Sequence, residues 1–371
     1  MSFVREVEAP RLPPPITVAG PYAWMRDRFF PTPVSGVASL VIGALALWVL
    51  WGLFDWAVVR AVWSAPDREL CAAPGAGACW PFVQARFHQW IYGFFPMEER
   101  WRLNVLFALG GLLLLGLAVP KLPFKGWNAF LFLVVFPVLA YYMLVGGSFG
   151  LNVVPLDKWG GLTVTLILAA TGIILSLPLG ILLALGRQSE LPLVKTLCVT
   201  FIEAVRGVPF ITMLFMAANM FPLFMPPGYN PAKLLLAIIG FTLFSAAYMA
   251  EEVRGGLQAI AKGQFEASKA LGLSYWRMMG LIVMPQALKI VIPGIVNNFI
   301  GLFKDTSLVL VISLFDLLNM VQSGFNDATW ASPQTGNTGY FAVALIYFIF
   351  CFAMSRYSLF LERRLNTNYK R

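Results

Sequence analysis

Long apolar runs, separated by short polar or proline-containing stretches, set the rhythm of this chain. They lie near residues 36–59, 103–119, 128–147, 160–186, 196–222, 233–252, 278–303 and 339–361. A helix rises about 1.5 Å per residue, so about 20 apolar residues cross roughly 30 Å of hydrocarbon. The pattern therefore predicts an all-α membrane protein with about eight transmembrane helices. Two runs are marginal: the second is short, and the fifth carries Glu203 and Arg206.

Two connecting segments are long enough to have structure of their own. Residues 60–102 contain "CAAPGAGAC", with Cys71 and Cys79, and also Trp80, Trp90 and Trp101. Tryptophans concentrate at membrane surfaces, so helices lying at headgroup level are expected here. Residues 304–338 open with "KDTSLVLVISLFDLLNMV". That stretch is too short and mixed for a full span but suits a re-entrant or cavity-lining element. Near the N-terminus, "PYAWMRDRFF" mixes aromatics with arginine, as an interfacial anchor does.

Composition agrees with the pattern. Of 371 residues, 59% are hydrophobic and 12% charged, against roughly 25% charged in ordinary soluble chains. The net charge of +9 does not point to nucleic acid, because membrane proteins gather Lys and Arg on cytoplasmic loops. Placing the N-terminus inside puts Arg5, Arg11, Arg26, Arg28, Lys121, Lys125, Arg187, Lys195, Arg254, Lys262, Lys269 and Arg277 on that side, with the C-terminal cluster. This topology, with both termini cytoplasmic, is favoured by roughly two to one. The first twenty residues hold charges and prolines where a leader peptide has an apolar core.

Cys71 and Cys79 can close a small loop if their segment faces an oxidising compartment. Cys198 and Cys351 sit inside apolar runs and are expected only to pack. A single histidine, His88, and no Cys/His cluster argue against a metal site.

On this layout the loop "FEASKALGLSYW" is cytoplasmic. It suits a short helix offering Phe265, Ala270, Leu271 and Tyr275 for burial, with Gly272 supplying a conformation other residues avoid. Pro285 then falls inside the next apolar run, where it should kink or break the helix. A short helix at a sharp cytoplasmic turn is either an ordinary interfacial loop or a docking knob. The spacing of Glu266, Ala267, Ser268, Gly272 and Pro285 resembles the EAA loop of ABC importer permeases. Ser268 stands where a second alanine is usual, and Met284 where leucine is. "RGVPFITMLF", "YMAEEVRGGLQAIAKGQFEASKALGLS" and "FKDTSLVLVISLFDLL" extend the resemblance to the polar amino-acid branch over roughly residues 155–365. Three additional N-terminal helices resemble the longer M-type subunits of that branch, found in general L-amino-acid and glutamate/glutamine/aspartate/asparagine uptake systems.

The resemblance implies a type I importer core of five helices preceded by a three-helix extension. The expected division is a tail at 1–35, the extension at 36–150, the core at 155–365 and a short tail at 366–371. A coupling loop at 254–277, including Gly263 and Tyr275, would enter a cleft on a separate ATPase. The expected partners are an ATPase homodimer, a second and non-identical permease subunit, a periplasmic amino-acid-binding protein and the lipid of a bacterial inner membrane. No G-x-x-x-x-G-K-[ST] sequence occurs, so ATP and Mg are expected on the ATPase and no cofactor on this chain. The chain alone is then not an enzyme.

Ionisable residues inside spans call for a functional hypothesis. Glu203 and Arg206, three apart, can pair with each other on one helix. Gly207 and Pro209 follow directly and should interrupt it, as in transporter sites that use exposed backbone groups. Lys304, Asp305, Thr306 and Ser307 form the other cluster, which the resemblance places on the substrate route. There Asp305 would hold an ammonium group, Arg206 or Lys304 a carboxylate, and Thr306 and Ser307 would donate hydrogen bonds. Glu251, Glu252 and Arg254 are expected to shape the coupling region, and Glu266 either to contact the ATPase or to cap its own helix. A secondary transporter driven by an ion gradient, or an ABC permease for another solute, are the competing readings.

Overall fold

The structure is a computed structural model that describes residues 20–365 except Asn230. The outermost cations of both tails, and the residues of the leader argument, lie outside that range. Among the described residues every regular element is helical, with only isolated bridges at Val62–Cys79 and Gly161–Asp316.

Twelve elements carry the architecture. α1 (Pro33–Phe54) continues through a π-helical turn at Asp55–Val59. Its first turn is closed by a reciprocal cap, with Thr32 and Ser35 each accepting from the other's backbone N–H. α2 (Trp80–Tyr92) lies in the first long connection. α3 (Arg100–Ala118) and α4 (Lys125–Val145) form a hairpin. The core follows as α5 (Gly161–Arg187), α6 (Pro192–Arg206), α7 (Phe210–Phe224), α8 (Lys233–Gln258), α9 (Lys262–Ala270), α10 (Tyr275–Ile312), α11 (Leu317–Ser323) and α12 (Thr335–Leu365).

Among the described residues, seven helices are long and apolar enough to cross a membrane. The fifth apolar run is the exception. It is not one straight span but two helices, α6 and α7, meeting at 107°. The cause is local: α6 closes with Gly207 N–H on the Glu203 carbonyl, and Pro209 begins the next helix by accepting from Thr212 and Met213. Proline cannot supply the N–H that would continue α6.

α8 is the centre of the core, packed against α5, α10 and α6. Its inward face is built from small residues, including Ala237, Gly240, Ser245, Ala246, Ala247, Ala250 and Gly256, all buried. Lipid tails are as apolar as leucine, so membrane helices associate where small side chains let backbones approach. Gly180 on α5 shows how close: a Cβ there would lie 2.6 Å from Met249 Cβ.

α2 does not lie free on a surface but packs onto α5, α11 and α12, with Phe82 and Trp90 fully buried. Trp63 and Trp101 keep the exposure a surface anchor would have. Cys71 and Cys79 are bonded and close the preceding loop. The Cys79 N–H donates to Thr338 Oγ1, Thr163 Oγ1 to the Ile91 carbonyl, and Trp56 Nε1 to Gln334 Oε1. Arg86 pairs with Asp327. Together these fasten the connection to the core. A second clamp is buried: Arg102 bonds Glu99 at 2.6 Å and the Asn152 carbonyl at 2.9 Å, tying α3 to the strand of chain that leads into α5. The short helix Pro21–Phe29 precedes α1 and leaves Tyr22, Trp24, Met25 and Phe29 exposed, as an interfacial anchor requires.

Candidate functional site

Three groups of residues stand out, and the first is a charge cluster beside the broken helix. Glu203 and Arg206 do not pair with each other. Glu203 accepts from Arg187 at 2.9 Å, and Arg187 also reaches Glu251 at 2.7 Å. Arg206 lies 3.7 Å from Glu251 with its guanidinium over the Tyr248 ring, and Arg254 bonds Glu251 at 2.8 Å. Glu251 is thus the hub of three arginines from α5, α6 and α8. The sequence offered Glu251 only as a coupling-region residue, and Arg187 only as a loop cation. Their spacing along the chain carries no signal that they meet. Glu252, next in line, points elsewhere, with its carboxylate against Gly294 of α10.

The second group is Lys304–Ser307. The α-helical part of α10 ends at Asp305, and a 3-10 turn takes over at Thr306. Lys304 is exposed, Asp305 half-buried and Thr306 fully buried, so adjacent residues diverge as helix geometry requires. Thr306 Oγ1 donates to the Phe303 carbonyl at 2.7 Å, and Ser307 Oγ to the Lys304 carbonyl at 2.8 Å. Each hydroxyl has one hydrogen, and both are already committed to backbone. The two side chains therefore offer acceptor lone pairs rather than the donors expected.

The structure does not bring Arg206 to Asp305. Lys233, at the start of α8, bonds the Ile312 carbonyl just beyond the Lys304 group. Glu251, Arg206's partner, is 18 residues further along the same helix, about 27 Å at 1.5 Å per residue. Of the two cations considered for a carboxylate, only Lys304 is beside Asp305.

The third group is the turn after α8. α9 runs through Gly263, Glu266, Ala267 and Ser268. Gly272 follows it at φ 69°, with Leu273 N–H reaching back to the Ser268 carbonyl. A Cβ at Gly272 would meet nothing within 4 Å, so the requirement for glycine is conformational alone. Ser268 is buried and donates to the Gln264 carbonyl. Phe265 and Leu273 face inward. Ala270, Leu271 and Tyr275 do not: they are exposed, Leu271 at 75%, and Trp276 beside them at 69%. Glu266 occupies the middle of α9, whose N-cap is Ala261, so it caps nothing. Pro285 does not break the next helix either. A π-helical turn at Met279–Val283 precedes it and absorbs the missing N–H, and α10 continues.

No cluster of three or more His, Cys, Asp or Glu suited to a metal occurs among the described residues.

Residues 176–367 match the family of binding-protein-dependent transport system inner membrane components. The inner membrane amino-acid ABC transporter permease protein YhdY of Escherichia coli K12 is 47% identical, over 93% of this chain and 93% of its own length. The chain belongs to this family. It is an ABC transporter permease, and the apolar helices are those of a multi-pass membrane protein. The glutamate/glutamine/aspartate/asparagine transport system permease BztC of Rhodobacter capsulatus is 40% identical over 100% of this permease and 99% of its own length. A crystal structure of an amino acid ABC transporter with histidines aligns at 29% identity over 55% of this chain and 92% of its own, with TM-score 0.49.

Proposed function

We propose that this permease is one of two non-identical membrane subunits of an ATP-driven importer of polar L-amino acids in a bacterial inner membrane. Residues 36–150 form the extension and 155–365 the transport core, with tails at 1–35 and 366–371 in the cytoplasm. A homodimer of ATPase subunits binds ATP and Mg, and a periplasmic binding protein delivers the amino acid. The spans then alternate between outward and inward openings. The full-length relatives' names, amino-acid permease in one case and glutamate/glutamine/aspartate/asparagine permease in the other, support the substrate class.

The observation that carries the coupling reading is the exposed apolar turn. Leu271, Tyr275 and Trp276 project from the α9–Gly272 corner that follows α8 in the chain. Exposed large apolar side chains on a held turn suit insertion into a partner's cleft, with Gly263, Glu266 and Ala267 along the contact and Ser268 and Pro285 fixing it from behind. α8 also carries Glu251, so movement of the turn reaches Arg206 and the Gly207–Pro209 bend through ion pairs. At the other end, Asp305 takes the substrate ammonium, Lys304 the substrate carboxylate, and the Thr306 and Ser307 oxygens accept from the ammonium.

Co-purification with the two ATPase subunits tests this. Leu271→Asp should reduce ATPase recovery about tenfold or more, the size of one interface anchor, while membrane insertion is unchanged. Glu266→Lys should weaken recovery less. ATPase recovery equal to wild type in both variants would remove the coupling role. Uptake in vesicles driven by an ion gradient without ATP would replace the reading with a secondary transporter.

A further inference from the structure

Behind the Lys304–Ser307 group lies a buried polar chain that none of the preceding roles uses. Asp316 is fully buried and caps α11: its Oδ1 accepts from Asn319 N–H and its Oδ2 from Leu318 N–H, each at 3.0 Å. It lies between the spans α10 and α12, paired through backbone with Gly161 at the first turn of α5. Tyr347 Oη of α12 lies 3.4 Å from Asp316 Oδ2 and 3.3 Å from Thr306 Oγ1, with the Thr165 hydroxyl as a third neighbour. Thr165 Oγ1 of α5 completes the surroundings by accepting from Leu317 N–H.

One phenol proton cannot serve both Asp316 and Thr306 at once. Thr306 has already given its hydrogen to the Phe303 carbonyl, so its oxygen can only accept from Tyr347. When Asp316 is ionised, its carboxylate is the stronger acceptor and draws the phenol proton. Thr306 then loses its donor. When Asp316 is protonated, it donates to Tyr347, Tyr347 donates to Thr306, and Thr306 donates to Phe303. Every hydrogen in that chain is matched to an acceptor.

We propose that Asp316 and Tyr347 are positioning residues that hold Thr306, and through it the Lys304–Asp305 corner, more firmly when Asp316 carries a proton. This rests on the reading of residues 304–307 as substrate pathway. The groups facing Asp316 are Thr165 from α5, Tyr347 from α12 and the first N–H groups of α11, and none is a cation. Lys304 and Asp305 lie beyond Thr306, and Lys233 holds the end of the 3-10 turn at Ile312. Burial pushes the Asp316 carboxyl up to about 6, against the pull of its backbone donors and Tyr347.

The test uses the whole complex in liposomes, with its binding protein saturating, a mixture of radiolabelled L-amino acids as probe and the external pH varied. The readout is amino acid transported per ATP hydrolysed. Wild type should transport about threefold more per ATP at pH 5.5 than at 7.5, a difference on the scale of one net hydrogen bond. Asp316→Asn should abolish that pH dependence. Tyr347→Phe, which keeps the ring against Phe303, should lower transport per ATP about fivefold at pH 5.5, with melting temperature and half-saturation by loaded binding protein unchanged. If Tyr347→Phe lowers only the melting temperature, or if Asp316→Asn keeps the wild-type pH profile, the positioning role is overturned. Asp305→Asn separates the two readings. If it lowers transport per ATP while the Tyr347 and Asp316 variants do not, this inference alone fails. If it has no effect, the pathway reading fails with it.

Discussion

α1 and α8 are both long apolar helices, and α1 is the more apolar. Yet none of α1's most apolar stretch is buried within the protein, whereas 61% of the corresponding stretch of α8 is. In water that ranking would be reversed, because apolar surface is driven inward. In lipid it is expected: Leu47, Trp48 and Trp51 of α1 are as well solvated by acyl chains as by protein. What marks the interior of this molecule is smallness and polarity. α8 buries Gly240, Thr242, Ser245, Ala246 and Gly256, and concentrates charge on Glu251.

The comparison can be broken most severely at Gly180. Leucine there must displace Met249 and crowd the Ala246 carbonyl, and should cost about 3 kcal/mol. The expected result is loss of monodisperse protein in detergent, or a clearly lowered melting temperature. Recovery at wild-type level would mean that α5 and α8 are not held by close approach.

Removing the hub charge is the next largest effect. Glu251→Gln leaves Arg187, Arg206 and Arg254 without their common partner. With side chains 23–34% exposed, solvent softens the penalty, which should be about 1–2 kcal/mol. Transport should fall further than stability, since the ion pairs join α8 to the bend after α6. A variant with normal coupling would confine the cluster to packing. At the small end, Leu47→Ala on α1 should change stability by less than about 0.5 kcal/mol. A larger loss, read by thermal unfolding of the assembled complex, would show that a subunit contacts α1.

The sequence made the spans legible because hydrophobic length is set by bilayer thickness, and their number and order needed little else. The interruption at Gly207–Pro209 was equally readable, since proline's missing N–H acts wherever the helix sits, although its 107° angle was not. Pairing was harder to read. Glu203 and Arg206 have helix spacing that permits a bond, but Arg187 and Glu251, remote in sequence, compete for the same charges and win. Burial within the α9 turn is hard to read from sequence for a similar reason. Leu271 and Tyr275 look like core residues by composition, and only the fold shows that Phe265, Ser268 and Leu273 occupy that side. The Asp316–Tyr347–Thr306 chain left no pattern at all, because its members come from three separate elements.

The fastening between extension and core has a consequence for how the chain is assembled. The prominent links run through the Cys71–Cys79 segment and α2, toward the end of the bundle opposite α9. The two parts are joined covalently only by the stretch between α4 and α5, yet they grip each other like a lid clipped to a box. Cut there, they should still find each other as two polypeptides, which makes that stretch the natural place to split the gene.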